Sequence, residues 1–245
     1  MRNIYSVGFP AVSPFVKALV IANVSIWFLL ILVIQQFFLN SPYIFQFLGL
    51  VPDGFLSGYL WQPFTYMFIH ASGIFHILFN MVVLWMFGSE LERLWGSRFF
   101  LVYYLICGVG AALIYCTVLI VVTLFTGEVL LTGVPVVGSS GAVFGLMLAY
   151  GLIFKDRILY VMMIFPMKAR TFIYFLAGIE ILSVLSSGLG GPVANLAHLG
   201  GLVTGMLFLI SWKNWHDISA WVKRRKPYRL HVIRSEDMED RRRWH

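Results

Sequence analysis

Charge is scarce in this sequence. Asp, Glu, Lys and Arg make up 12% of its 245 residues, against roughly 25% in a soluble domain. Hydrophobic residues make up 60%. A chain of this kind lacks the polar groups to cover a water-facing surface, which excludes an ordinary soluble enzyme. Cysteine is nearly absent as well. Cys107 and Cys116 lie in one apolar run, so no disulfide framework is implied. There is no internal repeat and no low-complexity linker. The beginning of the chain lacks the short apolar region and small-residue cleavage site of a signal peptide, so the first long apolar run is expected to persist as a signal anchor.

The third absence is positional. No Lys or Arg occurs in residues 40–73, 126–138 or 186–194. All 18 basic residues fall in the alternate segments: Arg2 and Lys17, Arg93 and Arg98, Lys155 to Arg170, and the tail from Lys213. Basic residues stay on the cytoplasmic side of a membrane, so this segregation assigns both ends to the cytoplasm and makes the number of crossings even.

What is present is a series of apolar runs near the roughly 20 residues a bilayer requires. They predict an all-α, polytopic bundle of six transmembrane helices. The spans are Val16 to Leu39, Ile74 to Leu91, Phe99 to Phe125, Ser140 to the residues before Lys155, Thr171 to Leu185, and Val193 to Trp212. Residues 1–15 are then a cytoplasmic segment, 16–212 the membrane domain and 213–245 a basic cytoplasmic tail. The stretch ILYVMMIFPMKAR (158–170) is apolar but short and carries Pro166; it is expected to be interfacial or part of a bent connection. The net charge of +7 belongs to this topology and to the tail, and no nucleic-acid partner is expected.

Polar residues inside membrane spans are costly and mark function. The second span carries His76 and Asn80, four residues apart and therefore on one helix face. The fourth opens with VVGSSGAVFG (136–145). Gly138 and Gly141 permit a tight turn and close approach. Ser140 stands at a helix start, where the unpaired N–H groups of Ser140 and Gly141 can cradle an oxyanion. Ser139 is expected to cap that helix. Gly141 and Gly145 form a close-packing pair, matched in the sixth span by Ala197, Gly201 and Gly205 at four-residue spacing. Contact between those strips would bring His198 to Ser140. A serine hydroxyl needs an adjacent base to attack, and a neutral imidazole is the usual one. No Asp or Glu stands in an obvious position to orient His198. Glu180, too deep in the fifth span to assign, is expected to be structural or of unknown role, so the expected unit is a Ser–His dyad.

These residues resemble the rhomboid intramembrane serine proteases, over roughly residues 15–212. GSSGAVFG is similar to the family's G-x-S-G, which implies Ser140 as nucleophile. NLAHLGGLVTG is similar to A-H-x-x-G-x-x-x-G, which implies His198 as base and Gly201 and Gly205 as packing residues. HASGIFHILFN is similar to H-x-x-x-N, which implies that His76 and Asn80 help bind the oxyanion. Phe144 stands where some members stack a tyrosine on the base. Trp61-Gln62 stands where many have Trp-Arg. Glu92 resembles a structural acid at the cytoplasmic end of the second span. The resemblance implies cleavage of single-span or other transmembrane proteins in the lipid bilayer, without metal or cofactor, by the basic six-span bacterial form; size and span count point to a bacterial inner membrane. The competing readings are a catalytically inactive relative that binds membrane proteins for quality control, and a transporter lined by His76, Asn80 and His198.

Overall fold

The computed structural model describes residues 10–127, 133–161, 164–187 and 193–224. The expectations that concern residues 1–9, the glycine-rich segment 188–192 and the tail 225–245 lie outside the described residues. The chain divides into two units, Met1–Leu209 and Ile210–His245. The first holds the helical bundle; in the second, the described residues are the end of one helix.

Helix α1 (Pro14–Ile26) continues without a break into a π-helical stretch to Leu39, and Asn40 ends it in the left-handed conformation. Short helices α2 (Tyr43–Leu48), α3 (Pro52–Leu56) and α4 (Gln62–Thr65) follow. Helix α5 (Ile74–Val83) passes through a π-helical turn into α6 (Ser89–Trp95). Then come α7 (Ser97–Thr126), α8 (Ser140–Ile153), α9 (Ala169–Ser187) and α10 (Val193–Arg224). Among the described residues, five helices are long and apolar enough to cross a membrane: Pro14–Leu39, Ile74–Trp95, Ser97–Thr126, Ala169–Ser186 and Ala194–Lys213. The expected fourth span, α8, is apolar but has only 14 residues.

Helix α8 is the centre of the bundle. Every residue from Gly141 to Gly151 is buried, which is why its sequence has no polar face: a helix surrounded on all sides needs none. Its far end is fixed by Arg157, which reaches both Glu90 and the Tyr150 hydroxyl. The segment after it is not helical. Strands β1 (Ile158–Val161) and β2 (Phe165–Lys168) pair antiparallel, with Tyr160 opposite Pro166. This small hairpin departs from a purely α fold. A proline-bearing stretch too short for a helix satisfies its backbone by pairing with itself, and Pro166 is tolerated because a two-stranded ribbon has only edges.

The long connection 40–73 is folded onto the bundle by buried polar contacts. Gln62 is fully buried; its Oε1 accepts from the Val51 N–H at 3.0 Å, and its Nε2 donates to the Gln46 carbonyl at 2.9 Å. A neutral amide thus takes the position after Trp61 and braces the loop from within. The Thr65 hydroxyl donates to Leu48 O, and the Tyr66 hydroxyl to Gly108 O on α7, each at 2.7 Å.

Glu92 is the polar staple at the opposite end. Its carboxylate accepts from the Phe15 and Val16 N–H groups at 3.0 and 2.9 Å, from the Ser97 hydroxyl at 2.6 Å, and from the Ser13 hydroxyl. One side chain therefore serves the unpaired N–H groups at the start of α1 and ties them to α6 and α7. Glu92→Ala removes the acceptor of four donors, two of them buried and two part-buried. Hydrogen bonds to a charged group are worth about 1.5–3 kcal/mol each, and solvent recovers part of the loss, so we expect destabilisation of about 2–4 kcal/mol. Unfolding in detergent micelles measures it, and an unchanged midpoint would refute the staple.

Candidate active site

The turn that delivers α8 is anchored before the helix begins. Leu50 and Val136 exchange backbone hydrogen bonds of 2.9 and 2.8 Å, and the Gly138 N–H donates to Tyr66 O at 3.0 Å. Gly138 has φ +116°, and a Cβ there would sit 2.8 Å from His76 Nε2. Only glycine admits both that backbone conformation and the imidazole against it. The first intrahelical bond runs from the Val143 N–H to Ser139 O, so the N–H groups of residues 140–142 precede the ladder at the helix start.

Ser140, at that start, has its Oγ 2.9 Å from His198 Nε2 on α10. The Phe144 ring, one turn further along α8, stacks on the imidazole with centroids 4.1 Å apart and planes 9° from parallel. The ring is thereby held flat, with one nitrogen on the serine. Small residues allow this approach. A Cβ built on Gly201 would lie 1.9 Å from the Gly141 carbonyl oxygen; one on Gly145 would lie 3.3 Å from Gly201 O, and one on Gly205 3.4 Å from the Gly145 Cα. Ala197, whose carbonyl faces Gly141, completes the strip.

Helix α5 supplies the polar groups on the other side. His76 Nδ1 accepts from the Ala71 N–H at 3.2 Å, so a neutral His76 carries its proton on Nε2, the nitrogen beside Gly138. Asn80 Nδ2 donates to His76 O at 2.8 Å, and its Oδ1 accepts from the Ser139 hydroxyl at 3.3 Å. This fixes the amide's orientation and, among the described residues, leaves its second N–H uncommitted.

A Rhomboid domain family model matches residues 57–213. The chain belongs to the rhomboid family. It is similar to RHOMBOID-like protein 12, mitochondrial, of Arabidopsis thaliana, with 31% identity over 76% of this chain and 54% of that protein. It is 27% identical to rhomboid protease AarA of Providencia stuartii over 79% of this chain and 70% of the relative. With rhomboid protease GluP of Bacillus subtilis it shares 28% identity over 61% of this chain and 25% of that protein. The chain spans about half or less of the length of several of these curated relatives. Family and apolar helices together make this an integral membrane protein.

Two sequence expectations about this rhomboid's site need correction. Ser139 makes no capping hydrogen bond with its side chain. Its hydroxyl turns instead to Asn80, with His70 Nε2 3.5 Å away; a fully buried hydroxyl takes the acceptor its surroundings offer, in preference to the turn of its own helix. Second, an acid does stand beside His198. Glu180 Oε1, on α9, is 3.0 Å from His198 Nδ1. The two residues lie on different helices, and periodicity along one helix does not reveal what faces it from another. Depth was the available signal. Glu180 is seven residues before Ser187 at the end of α9, and His198 is five after Val193 at the start of α10. Both therefore sit about 8–10 Å into their helices from the connection they share.

His70 also escaped the sequence reading, although it opens the segment HASGIFHILFN. It is fully buried, with its ring 5.4 Å from that of His76. Burial first, and the neighbouring His76 second, push its pKa down to about 4, so at neutral pH it stays uncharged beside Ser139.

Proposed function

We propose that this rhomboid is an intramembrane serine protease that hydrolyses a peptide bond of a transmembrane protein substrate. The observation that carries the reading is the 2.9 Å contact between Ser140 Oγ and His198 Nε2 at the start of a central helix. His198 takes the hydroxyl proton as Ser140 attacks the scissile carbonyl. The N–H groups at the start of α8, the free N–H of Asn80 and the Nε2–H of His76 face the oxyanion that forms. His198 then protonates the leaving amine, and water, activated by the same imidazole, releases the acyl group.

The short central helix suits a reaction inside the membrane. Fourteen residues rise about 21 Å, against a hydrocarbon core of about 30 Å. With its far end at the cytoplasmic face beside Lys155 and Arg157, the Ser140 end stops below the opposite surface. Counted as the fourth crossing, α8 makes a six-span chain with both ends in the cytoplasm, in keeping with the segregated basic residues. Water then reaches Ser140 from the non-cytoplasmic side. A bacterial inner membrane fits the six-span form.

The test is cleavage of a single-span substrate by the purified protein in detergent, together with fluorophosphonate labelling located by peptide mapping. Cleavage with the label on Ser140 supports the reading. A folded protein that neither cleaves nor labels is the non-catalytic, membrane-protein-binding relative instead. Removing one oxyanion donor typically costs about 10²–10³ in rate. Asn80→Ala is therefore expected to lower kcat about 10²-fold with KM little changed. A purely raised KM would assign Asn80 to substrate binding.

A further inference from the structure

Glu180 is the only acidic residue of α9, in a helix that is otherwise apolar over most of its length. It is buried, at 8% exposure. One carboxylate oxygen meets His198 Nδ1 at 3.0 Å; the other, Oε2, has no hydrogen-bond partner among the described residues. A carboxyl group is costly at such a place, and one left half-satisfied is a poor packing device. Leucine would pack α9 against α10 without the desolvation cost. The geometry assigns Glu180 a different role: it is a positioning residue that holds His198 in its working tautomer and stabilises the imidazolium formed during the reaction. This rests on the protease reading above and extends its dyad to Ser140–His198–Glu180.

The chemistry follows from the two ring nitrogens. An ionised Glu180 can only accept, so its contact requires a proton on Nδ1. A neutral imidazole with Nδ1–H has its lone pair on Nε2, aimed at the Ser140 hydroxyl 2.9 Å away. When Nε2 takes the serine proton, the ring becomes cationic beside a carboxylate in a poorly solvated setting, where the attraction is far stronger than in water. Phe144 fixes the plane of the ring, and Glu180 fixes its rotation within that plane. Among the described residues, the groups that face the imidazole are Ser140 and Phe144 from α8, Glu180 from α9 and, at electrostatic range, His76 from α5. Glu180 is the one anion among them.

Glu180→Gln keeps the size and one acceptor oxygen but removes the charge. We expect kcat to fall about 10–100-fold with KM within about twofold, a milder loss than the wrong tautomer causes in a full triad. Glu180→Asp, which keeps the carboxylate, should recover part of kcat. A folded Glu180→Gln with wild-type kcat would reduce Glu180 to a tie between helices and overturn the proposal. That result, in a protein that still cleaves and labels at Ser140, leaves the protease reading intact. Should Glu180→Gln not fold, histidine ¹⁵N spectra of the wild type decide, with His198 identified by comparison with His198→Gln. A neutral His198 protonated at Nδ1 supports the assignment, and one protonated at Nε2 overturns it.

Discussion

Ser140→Ala and His198→Ala should each lower kcat/KM by about 10⁴-fold or more, the scale on which nucleophile and base act in serine hydrolases. The reason lies in the single contact between them. A hydroxyl is a poor nucleophile at its own pKa. It attacks only if its proton leaves as the bond forms, and Nε2 of His198, at 2.9 Å, is the acceptor within reach. Because the two residues act on one proton, their losses do not add. The double variant should be no slower than the slower single one. Stability should hardly change on removing the Ser140 hydroxyl, which is partly exposed and, among the described residues, makes no hydrogen bond but the one to His198. His198→Ala also removes the stack on Phe144, so its unfolding midpoint should drop modestly. Initial rates on a single-span substrate, with unfolding measured in the same detergent, give both answers. Undiminished cleavage by either single variant would exclude the pair as the catalytic unit.

Gly201→Ala should be the most damaging single methyl addition in the bundle. The added Cβ would stand 1.9 Å from the Gly141 carbonyl oxygen and 2.7 Å from its carbon. Both atoms are backbone, so no side chain can turn aside. Ordinary contact requires about 3.5 Å, and the two helices would have to part by roughly 1.5 Å. Overpacking of this kind costs about 1–3 kcal/mol, and a backbone clash belongs at the upper end. The loss of activity should be larger than the loss of stability. Parting α10 from α8 carries His198 away from Ser140, and a displacement of 1 Å is worth about 10²-fold in rate. Gly178→Ala on α9 is the control, because a Cβ there meets nothing within 4 Å. It should leave activity unchanged and, as alanine replaces glycine in a helix, stability level or slightly higher. Equal behaviour of the two variants would refute the close-packed strip as the device that sets the site.

Much of this was legible in the chain, for reasons particular to its residues. Long apolar runs separated by segments with or without Lys and Arg mark helices without reference to anything outside themselves, and among the described residues five helices are of spanning length. The polar interruptions were legible because a membrane interior makes each one conspicuous: His76, Asn80, Ser140, Glu180 and His198 all stand out. The hairpin at 158–168 was not, since an apolar stretch with one proline fits a bent connection as well as a ribbon. The lodging of Gln62 was not, since an amide after a tryptophan in a loop carries no periodic signal. Nor was the service of Ser139 to Asn80, since a serine at a helix start satisfies the capping pattern whether or not it caps.

The sequence by itself determined which residues are available for chemistry and which helices carry them, because local composition sets both. It also determined that two helices bear strips of small residues. Their spacing also pointed His198 toward Ser140; only the tertiary structure decided how closely the strips approach and what else meets there. Gly201 lies against Gly141, and this depth of approach puts His198 on Ser140 and sets Phe144 flat against the ring. The same packing turned Glu180 from an unexplained charge in an apolar helix into the partner of His198 Nδ1. Periodicity states which face of a helix a residue occupies. The partner across that face depends on how closely the helices pack and at what depth each begins, and these are properties of the assembled bundle.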